Sequence, residues 1–161
     1  MHAPYSRSRR FLHWFSAAMI LWATFSGFGV LALAPEAPLR QWVEAVNPQV
    51  TSLFIPFFAW RLWLRLRQPS SAGHGAADAV HWALYAVIAA VLASGVLMMA
   101  TPVRMFSLFT LPPLVHSPLW LQRLHQWHHL VCMALAALVA LHLAAVVWHQ
   151  WRGNDVMARM R

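Results

Sequence analysis

Residues 124–151, LHQWHHLVCMALAALVALHLAAVVWHQW, contain no Asp, Glu, Lys or Arg. A bilayer core of ~30 Å needs about 20 helical residues at ~1.5 Å rise each, so this stretch is long enough to cross a membrane. It also contains His128 and His142, fourteen residues apart (142 − 128). Fourteen residues make almost four helical turns, so both imidazoles face the same side, ~21 Å apart along the axis. The pattern predicts a transmembrane helix that presents two histidines to the same neighbours.

Three further apolar runs are long enough to span a bilayer, at about residues 11–34, 50–66 and 79–100. The chain is 60% hydrophobic and only 10% charged, against about 25% charged residues in a typical soluble domain. Clusters of proline and glycine separate the runs and indicate loops. The sequence therefore predicts an all-α, integral membrane four-helix bundle, with residues 1–161 as a single domain and the fourth helix at about 124–151.

The twelve basic residues are all arginines, and their placement predicts the topology. Nine of them fall on one side of the predicted membrane, namely Arg7, Arg9, Arg10, Arg61, Arg65, Arg67, Arg152, Arg159 and Arg161. By the positive-inside rule this side is cytoplasmic, and it carries both termini. The N-terminal run is too long for the apolar region of a signal peptide, so we expect it to be a retained helix. A nucleic-acid module would need a solvent-exposed basic face, which the sequence does not offer.

The histidines are the candidates for chemistry, because ionisable groups at membrane depth are costly and usually face a partner inside a bundle. His13 begins the first helix on the cytoplasmic side, and His142 lies toward the cytoplasmic end of the fourth. Haem iron takes axial imidazoles, so these two residues are the predicted ligands of one haem. The alternatives are a hydrogen bond from His142 to a backbone carbonyl and an interfacial position for His13. His128, at the opposite surface, is a candidate ligand of a second haem or a solvated residue.

The remaining histidines allow weaker predictions. His149 lies two turns after His142 on the same face, where an imidazole could hydrogen-bond a quinone and supply protons. The alternative for His149 is an interfacial anchor. His81 begins the third helix, and structural anchoring is the favoured role. His125 and His129, one turn apart, could form a surface metal site with His116, although a solvated cluster is favoured.

The sequence resembles the bacterial cytochrome b561 family along nearly its whole length. The matching segments, one in each helix, are YSRSRRFLHWF at 5–15, RLWLRLRQP at 61–69, HWALYAVIAAVLASGVLMM at 81–99 and WHHLVCMALAALVALHLAAVVWHQWRGND at 127–155. The resemblance implies a four-helix protein of the bacterial inner membrane that carries electrons to or from a quinone, usually with two haems b. It implies that His13 and His142 hold the cytoplasmic haem, that His128 is one ligand of the periplasmic haem, and that His149 lies near the quinone site.

One position departs from the family pattern. The resemblance implies a further ligand histidine at the start of the second helix, and counting back from Arg61 places Asn47 there. No histidine occurs between His13 and His74, so His128 lacks its expected partner. His116 is the only replacement that the sequence offers. One haem b is therefore expected, and the second is in doubt.

Three functions remain open from the sequence. The first is an oxidoreductase acting between a donor and the ubiquinone pool, so enzymatic activity is not decided. The second is a haem-bearing membrane anchor for a separate catalytic subunit. The third is a degenerate relative with a structural or sensing role. Expected partners are membrane lipid, a quinone and a redox partner protein.

Overall fold

The computed structural model of the chain describes residues 6–67, 75–153 and 157. Its elements, in chain order, are helices α1 (Arg7–Gly29, followed by a 3₁₀ turn at Val30–Ala32), α2 (Pro38–Arg67) and α3 (Ala76–Leu97), strands β1 (Val103–Met105) and β2 (Phe109–Leu111), and helix α4 (Pro118–Trp151). Four helices account for most of these residues, which confirms the all-α prediction. Arg159 and Arg161, used in the topology prediction, lie outside the described residues.

Three of the helical segments are long and apolar enough to cross a membrane. They are Arg7–Ala32, Ala77–Leu97 and Pro118–Trp151, with mean hydropathies of 1.7, 2.0 and 2.7. The chain is therefore a multi-pass membrane protein. Helix α2 does not reach the same hydropathy because polar residues lie at both of its ends, Arg40, Glu44 and Asn47 in the first half and Arg61, Arg65 and Arg67 in the second. Its crossing of the membrane remains a prediction.

The first half of α2 differs from the sequence prediction. The predicted helix began at about Val50, whereas the structure begins it at Pro38 and carries it through Pro48 and Pro56. Proline is favoured in the first turn of a helix, where its missing N–H has no intrahelical partner. Pro48 and Pro56 leave the carbonyls of Glu44 and Ser52 without their usual helical donors, a loss that membrane helices tolerate. Thr51 donates its Oγ1 proton within the turn after Pro48, toward the carbonyls of Asn47 and Pro48, at 2.8 and 3.3 Å.

The helices pack as neighbours in chain order. The closest backbone contacts join α1 with α2 and α3 with α4, and α2 also packs against α3. Helices α1 and α4, both fully described, approach each other closely at few points, and we call the space between them the α1–α4 seam. An apolar core formed by Phe54, Phe58, Ile88 and Leu135 occupies the middle of the bundle. This core divides the bundle into two ends.

We name the two ends by their contents. The arginine end, where α1 and α3 begin and α2 and α4 end, contains His13, Arg61, His81 and His142. The hairpin end contains Asn47, Ser94 and His128, together with the strands β1 and β2. In each of α2, α3 and α4, the core residues come between a residue that belongs to one end and a residue that belongs to the other.

The β-hairpin between α3 and α4 was not predicted. Val103–Met105 pairs antiparallel with Phe109–Leu111, and Leu108 N donates to Met105 O at 2.8 Å to close the turn. Phe106 and Ser107 have positive φ values of 46° and 61°, the backbone of a type I′ turn, which usually takes Asn-Gly. The hairpin is fixed to α2 because Phe106 N donates to Gln49 Oε1 at 2.9 Å and Met105 is buried.

Replacing Ser107 by glycine should stabilise the protein. A non-glycine residue in the left-handed region costs roughly 1–2 kcal/mol, and part of this is recovered by Ser107→Gly, so we expect a gain of about 0.5–1 kcal/mol. Thermal unfolding in detergent measures the change. The matched control is Thr110→Gly in β2, which removes a strand side chain without relieving a positive φ and should lower stability. Equal effects of the two substitutions would contradict the assignment of strain to Ser107.

Candidate functional site

Arg61 connects the helices at the arginine end. From α2 its Nη2 donates to His13 Nδ1 on α1 at 3.1 Å. Its guanidinium also lies over the ring of Tyr85 on α3, 5.5 Å from the ring centroid. It is close enough to His142 on α4 to act on that imidazole electrostatically. One side chain therefore contacts or influences titratable groups on all three other helices.

The predicted ligands His13 and His142 lie at this same end, and a third imidazole accompanies them. The rings of His81 and His142 meet edge to face, with centroids 5.5 Å apart. His13 is within electrostatic range of both His142 and His81. The structure thus brings together imidazoles from α1, α3 and α4. The sequence analysis favoured only an anchoring role for His81, because the proximity of His81 to His142 depends on how α3 and α4 rotate against each other.

A salt bridge fixes the position of His81. Arg65, near the end of α2, pairs with Asp78 in the first turn of α3, and its guanidinium lies 5.5 Å from the centroid of the Trp82 ring. His81 is three residues after Asp78, on the same side of α3. The salt bridge therefore holds the start of α3 against α2 and sets the depth of His81 beside His142.

The hydrogen bond between Arg61 and His13 determines the tautomer of that imidazole. A guanidinium only donates, so His13 Nδ1 accepts and the proton of the neutral ring is on Nε2. A histidine that binds iron through Nε2 carries its proton on Nδ1 and usually donates it to a carbonyl or carboxylate. Ligation by His13 Nε2 therefore requires Arg61 to release Nδ1 and turn to another acceptor.

His13 and His142 are the residues that could hold a haem at this end. They lie on α1 and α4, the two helices that bound the α1–α4 seam. Two imidazoles from different helices are a donor set that a haem b would accept. The arginine end therefore supplies suitable ligands together with a cation, Arg61, that can pair with a carboxylate.

At the hairpin end, both ring nitrogens of His128 are engaged. Ser94 Oγ donates to Ala90 O at 2.6 Å, so it accepts from His128 Nδ1, at 2.9 Å. His128 Nε2 is then an acceptor, and Cys132 Sγ lies 3.4 Å from it. A hydrogen-bonded chain thus runs from the thiol through the imidazole to the hydroxyl and the α3 backbone. Cys132 covers the nitrogen that an iron ion would need.

The position facing His128 is occupied by an amide. Asn47 on α2 lines the same cavity as His128, and its Oδ1 accepts from Ser26 Oγ on α1 at 3.1 Å. An amide is not an ordinary haem ligand. His128 is the only histidine among the described residues that line this cavity, in agreement with the doubt raised by the sequence.

Four further histidines in the described part of the chain lie on the surface of the protein. His116, His125, His129 and His149 are all exposed. His125 Nδ1 donates to Leu121 O at 2.8 Å, and the His129 ring lies 6.3 Å from the ring of Phe28 on α1. Within residues 6–67, 75–153 and 157, no group of three or more His, Cys, Asp or Glu side chains is placed to hold a metal ion. The solvated cluster is thus favoured over a metal site at His116, His125 and His129.

The comparison with known protein families agrees with this geometry. Residues 4–161 match the profile of the family described as prokaryotic cytochrome b561. The chain belongs to the prokaryotic cytochrome b561 family. It is therefore a membrane protein that binds haem b and transfers electrons. A search of curated proteins finds no match to the chain.

Two buried serines of this cytochrome b561 offer a matched test of the His128 network. Ser16 and Ser94 each donate to the carbonyl four residues earlier at 2.6 Å, but only Ser94 also accepts from an imidazole. Ser94→Ala removes the hydroxyl that accepts from His128 Nδ1, which should cost about 0.5–1.5 kcal/mol of stability, the range for one hydrogen bond. Ser16→Ala removes only a bond within its own helix and should cost less. Thermal unfolding of both variants measures the difference, and equal losses would contradict the role given to Ser94.

Proposed function

We propose that His13 and His142 hold one haem b at the arginine end, and that the protein exchanges electrons between this haem and a membrane quinone pool. The observation that carries the proposal is that His13 on α1 and His142 on α4 lie within electrostatic range of each other at the same end of the bundle, where Arg61 bonds to His13. Bound haem iron supplies one-electron chemistry by alternating between its ferric and ferrous states.

The surrounding residues have roles that follow from their charges. Arg61 would pair with a haem carboxylate in preference to His13 Nδ1, because a guanidinium pairs more strongly with a carboxylate than with a neutral imidazole. His13 Nδ1 would then carry the ring proton and leave Nε2 as the nitrogen that could hold the iron. His81 and Tyr85 contribute polar groups beside His13 and His142. Arg65 and Asp78 keep α3 in position while Arg61 moves.

We infer the orientation from charge. Both termini lie in the cytoplasm of the bacterial inner membrane, since the arginine-rich helix ends share one side. His149, exposed in the last turn of α4, is on that side and is the candidate contact for a ubiquinone and for proton exchange. Its imidazole can exchange protons near neutral pH, which quinone reduction requires.

One observation favours the second function, a membrane anchor for a separate catalytic subunit. The hairpin exposes Phe106, Leu108 and Phe109, with 49%, 82% and 56% of their surface uncovered. Exposed apolar groups in one small element indicate a contact with lipid or protein. Co-purification of a larger subunit that is lost with Leu108→Asp would support the anchor function.

The haem content of the purified protein tests the proposal directly. We expect about one haem b per polypeptide by pyridine haemochrome, with the spectrum of a low-spin, six-coordinate iron. His13→Leu and His142→Leu should each lose that spectrum. His116→Leu, a change of the same size at an exposed loop position, should keep it.

Three results would contradict the proposal. A protein that stays colourless after haem supplementation would exclude the cytochrome function. A ratio of about two would require His128 to have a partner that the structure does not show. Retention of the low-spin spectrum by His13→Leu, with its loss in His81→Leu, would assign the second ligand to His81.

A further inference from the structure

The β-hairpin lies deeper in the bundle than a loop that leaves the membrane would lie. Its apex is attached to α2 by the hydrogen bond from Phe106 N to Gln49 Oε1, at 2.9 Å. Helical side chains point back toward the N-terminus of their helix, so the Gln49 amide returns to about the level of Asn47. Asn47 is itself bonded to Ser26 on α1, at 3.1 Å. The apex of the hairpin is therefore level with Ser26.

The depth of that level follows from the length of α1. The apolar segment Arg7–Ala32 has 26 residues, or ~39 Å of helix, against a hydrocarbon core of ~30 Å. Shared equally between the two surfaces, the excess leaves ~4–5 Å of this segment outside the core at each end. Ser26 is six residues (32 − 26), or ~9 Å, before Ala32. The apex thus lies ~4–5 Å inside the edge of the core, close to the boundary between headgroups and acyl chains.

The uneven lengths of α3 and α4 agree with this depth. Ser94 on α3 is level with His128 on α4, because Ser94 Oγ accepts from His128 Nδ1 at 2.9 Å. Helix α3 ends three residues after Ser94, at Leu97, whereas α4 begins ten residues before His128, at Pro118. Helix α4 therefore extends ~10 Å farther out than α3 at this end. The connection that contains the hairpin starts inside the range of depth that α4 spans.

The side chains at the apex are apolar and uncovered. Phe106, Leu108 and Phe109 are all exposed, Leu108 with 82% of its surface. Leu53, one helical turn after Gln49 and on the same face of α2, is exposed as well. The apex therefore continues an apolar surface of α2 at the depth where acyl chains begin.

The backbone and the charge of the hairpin suit a weakly hydrated position. Strands β1 and β2 pair along their three residues each, and Leu108 N donates to Met105 O across the turn. Gln49 accepts from Phe106 N at the apex, and unpaired backbone groups are costly in hydrocarbon. Between residues 98 and 117, Arg104 is the only Asp, Glu, Lys or Arg, and its long side chain can extend toward the headgroups.

We propose that the hairpin inserts into the leaflet at the hairpin end, with the three exposed side chains of its apex among the upper acyl chains of phospholipids. The depth selects lipid as the occupant, because α2 and α4 extend ~13–15 Å farther out, to Pro38 and Pro118, and a docking subunit would meet those ends first. The bond to Gln49 makes the inserted hairpin an anchor that fixes the depth of α2, the helix that does not reach the hydropathy of the other three.

Nitroxide labels in a bilayer test the depth of the apex. Cys132, the only cysteine, is replaced by alanine, and Leu108→Cys, Leu53→Cys and Leu119→Cys are each labelled in phosphatidylethanolamine–phosphatidylglycerol vesicles. All three positions are exposed, and Leu119 lies in the first turn of α4, ~13 Å farther out than His128. Power-saturation EPR compares collisions with oxygen, which concentrates in hydrocarbon, and with a water-soluble nickel chelate. We expect the oxygen-to-nickel ratio to be highest at Leu53, intermediate at Leu108 and lowest at Leu119.

The wild-type protein allows a second measurement that needs no substitution. A phospholipid with a photoactivatable diazirine on the upper part of one acyl chain is included in the same vesicles. Trypsin then releases residues 105–123, between Arg104 and Arg123, in one peptide. Fragment ions should place acyl-chain adducts at residues 106–109 and none at residues 118–121.

Three results would overturn the proposal. A Leu108 label that meets nickel as often as the Leu119 label would place the apex in water, where its side chains are available to a catalytic subunit. A Leu108 label that neither reagent reaches would show that protein, such as a second copy of the chain, covers the apex. Absence of adducts at residues 106–109 in the wild-type protein would exclude contact with acyl chains.

Discussion

The contacts of Arg61 constrain the whole arginine end. A guanidinium and three imidazoles lie on helices that face lipid, where a polar group without a partner is costly. Arg61 reduces this cost by donating to His13 and lying against Tyr85, so α1, α2 and α3 are held at one relative depth. The position of His142 on α4 then follows from its ring contact with His81. Any change at Arg61 therefore alters the geometry of the candidate ligands as well as the local charge.

The sequence predicted helices α1, α3 and α4 well because each is a long apolar run with few charges. It misplaced the start of α2, since Pro48 and the polar residues around it resemble a loop when tertiary contacts are unknown. The hairpin had no usable sequence signal. Its strands have three residues each, and its turn uses Phe106 and Ser107 where a type I′ turn favours Asn-Gly.

The candidate site was predicted in part. His13 and His142 were found because helical register and depth can be counted along a chain. The contact between His81 and His142 depends on the rotation of two helices, which no local pattern gives. Arg61 was counted only as a topological charge, although its structural role is a hydrogen bond. The family resemblance placed Asn47 where a histidine was expected, and this remains a prediction; the bond of Asn47 to Ser26 and the Ser94–His128 contact depend on the packed bundle.

The apolar core of Phe54, Phe58, Ile88 and Leu135 separates the two ends by aromatic and aliphatic side chains. Electrons can tunnel through such a layer, but protons need a chain of hydrogen-bonding groups, which these side chains do not form. The core therefore lets electrons pass between the two ends and blocks protons. A group that titrates at one end must exchange its proton with the aqueous phase on its own side of the membrane.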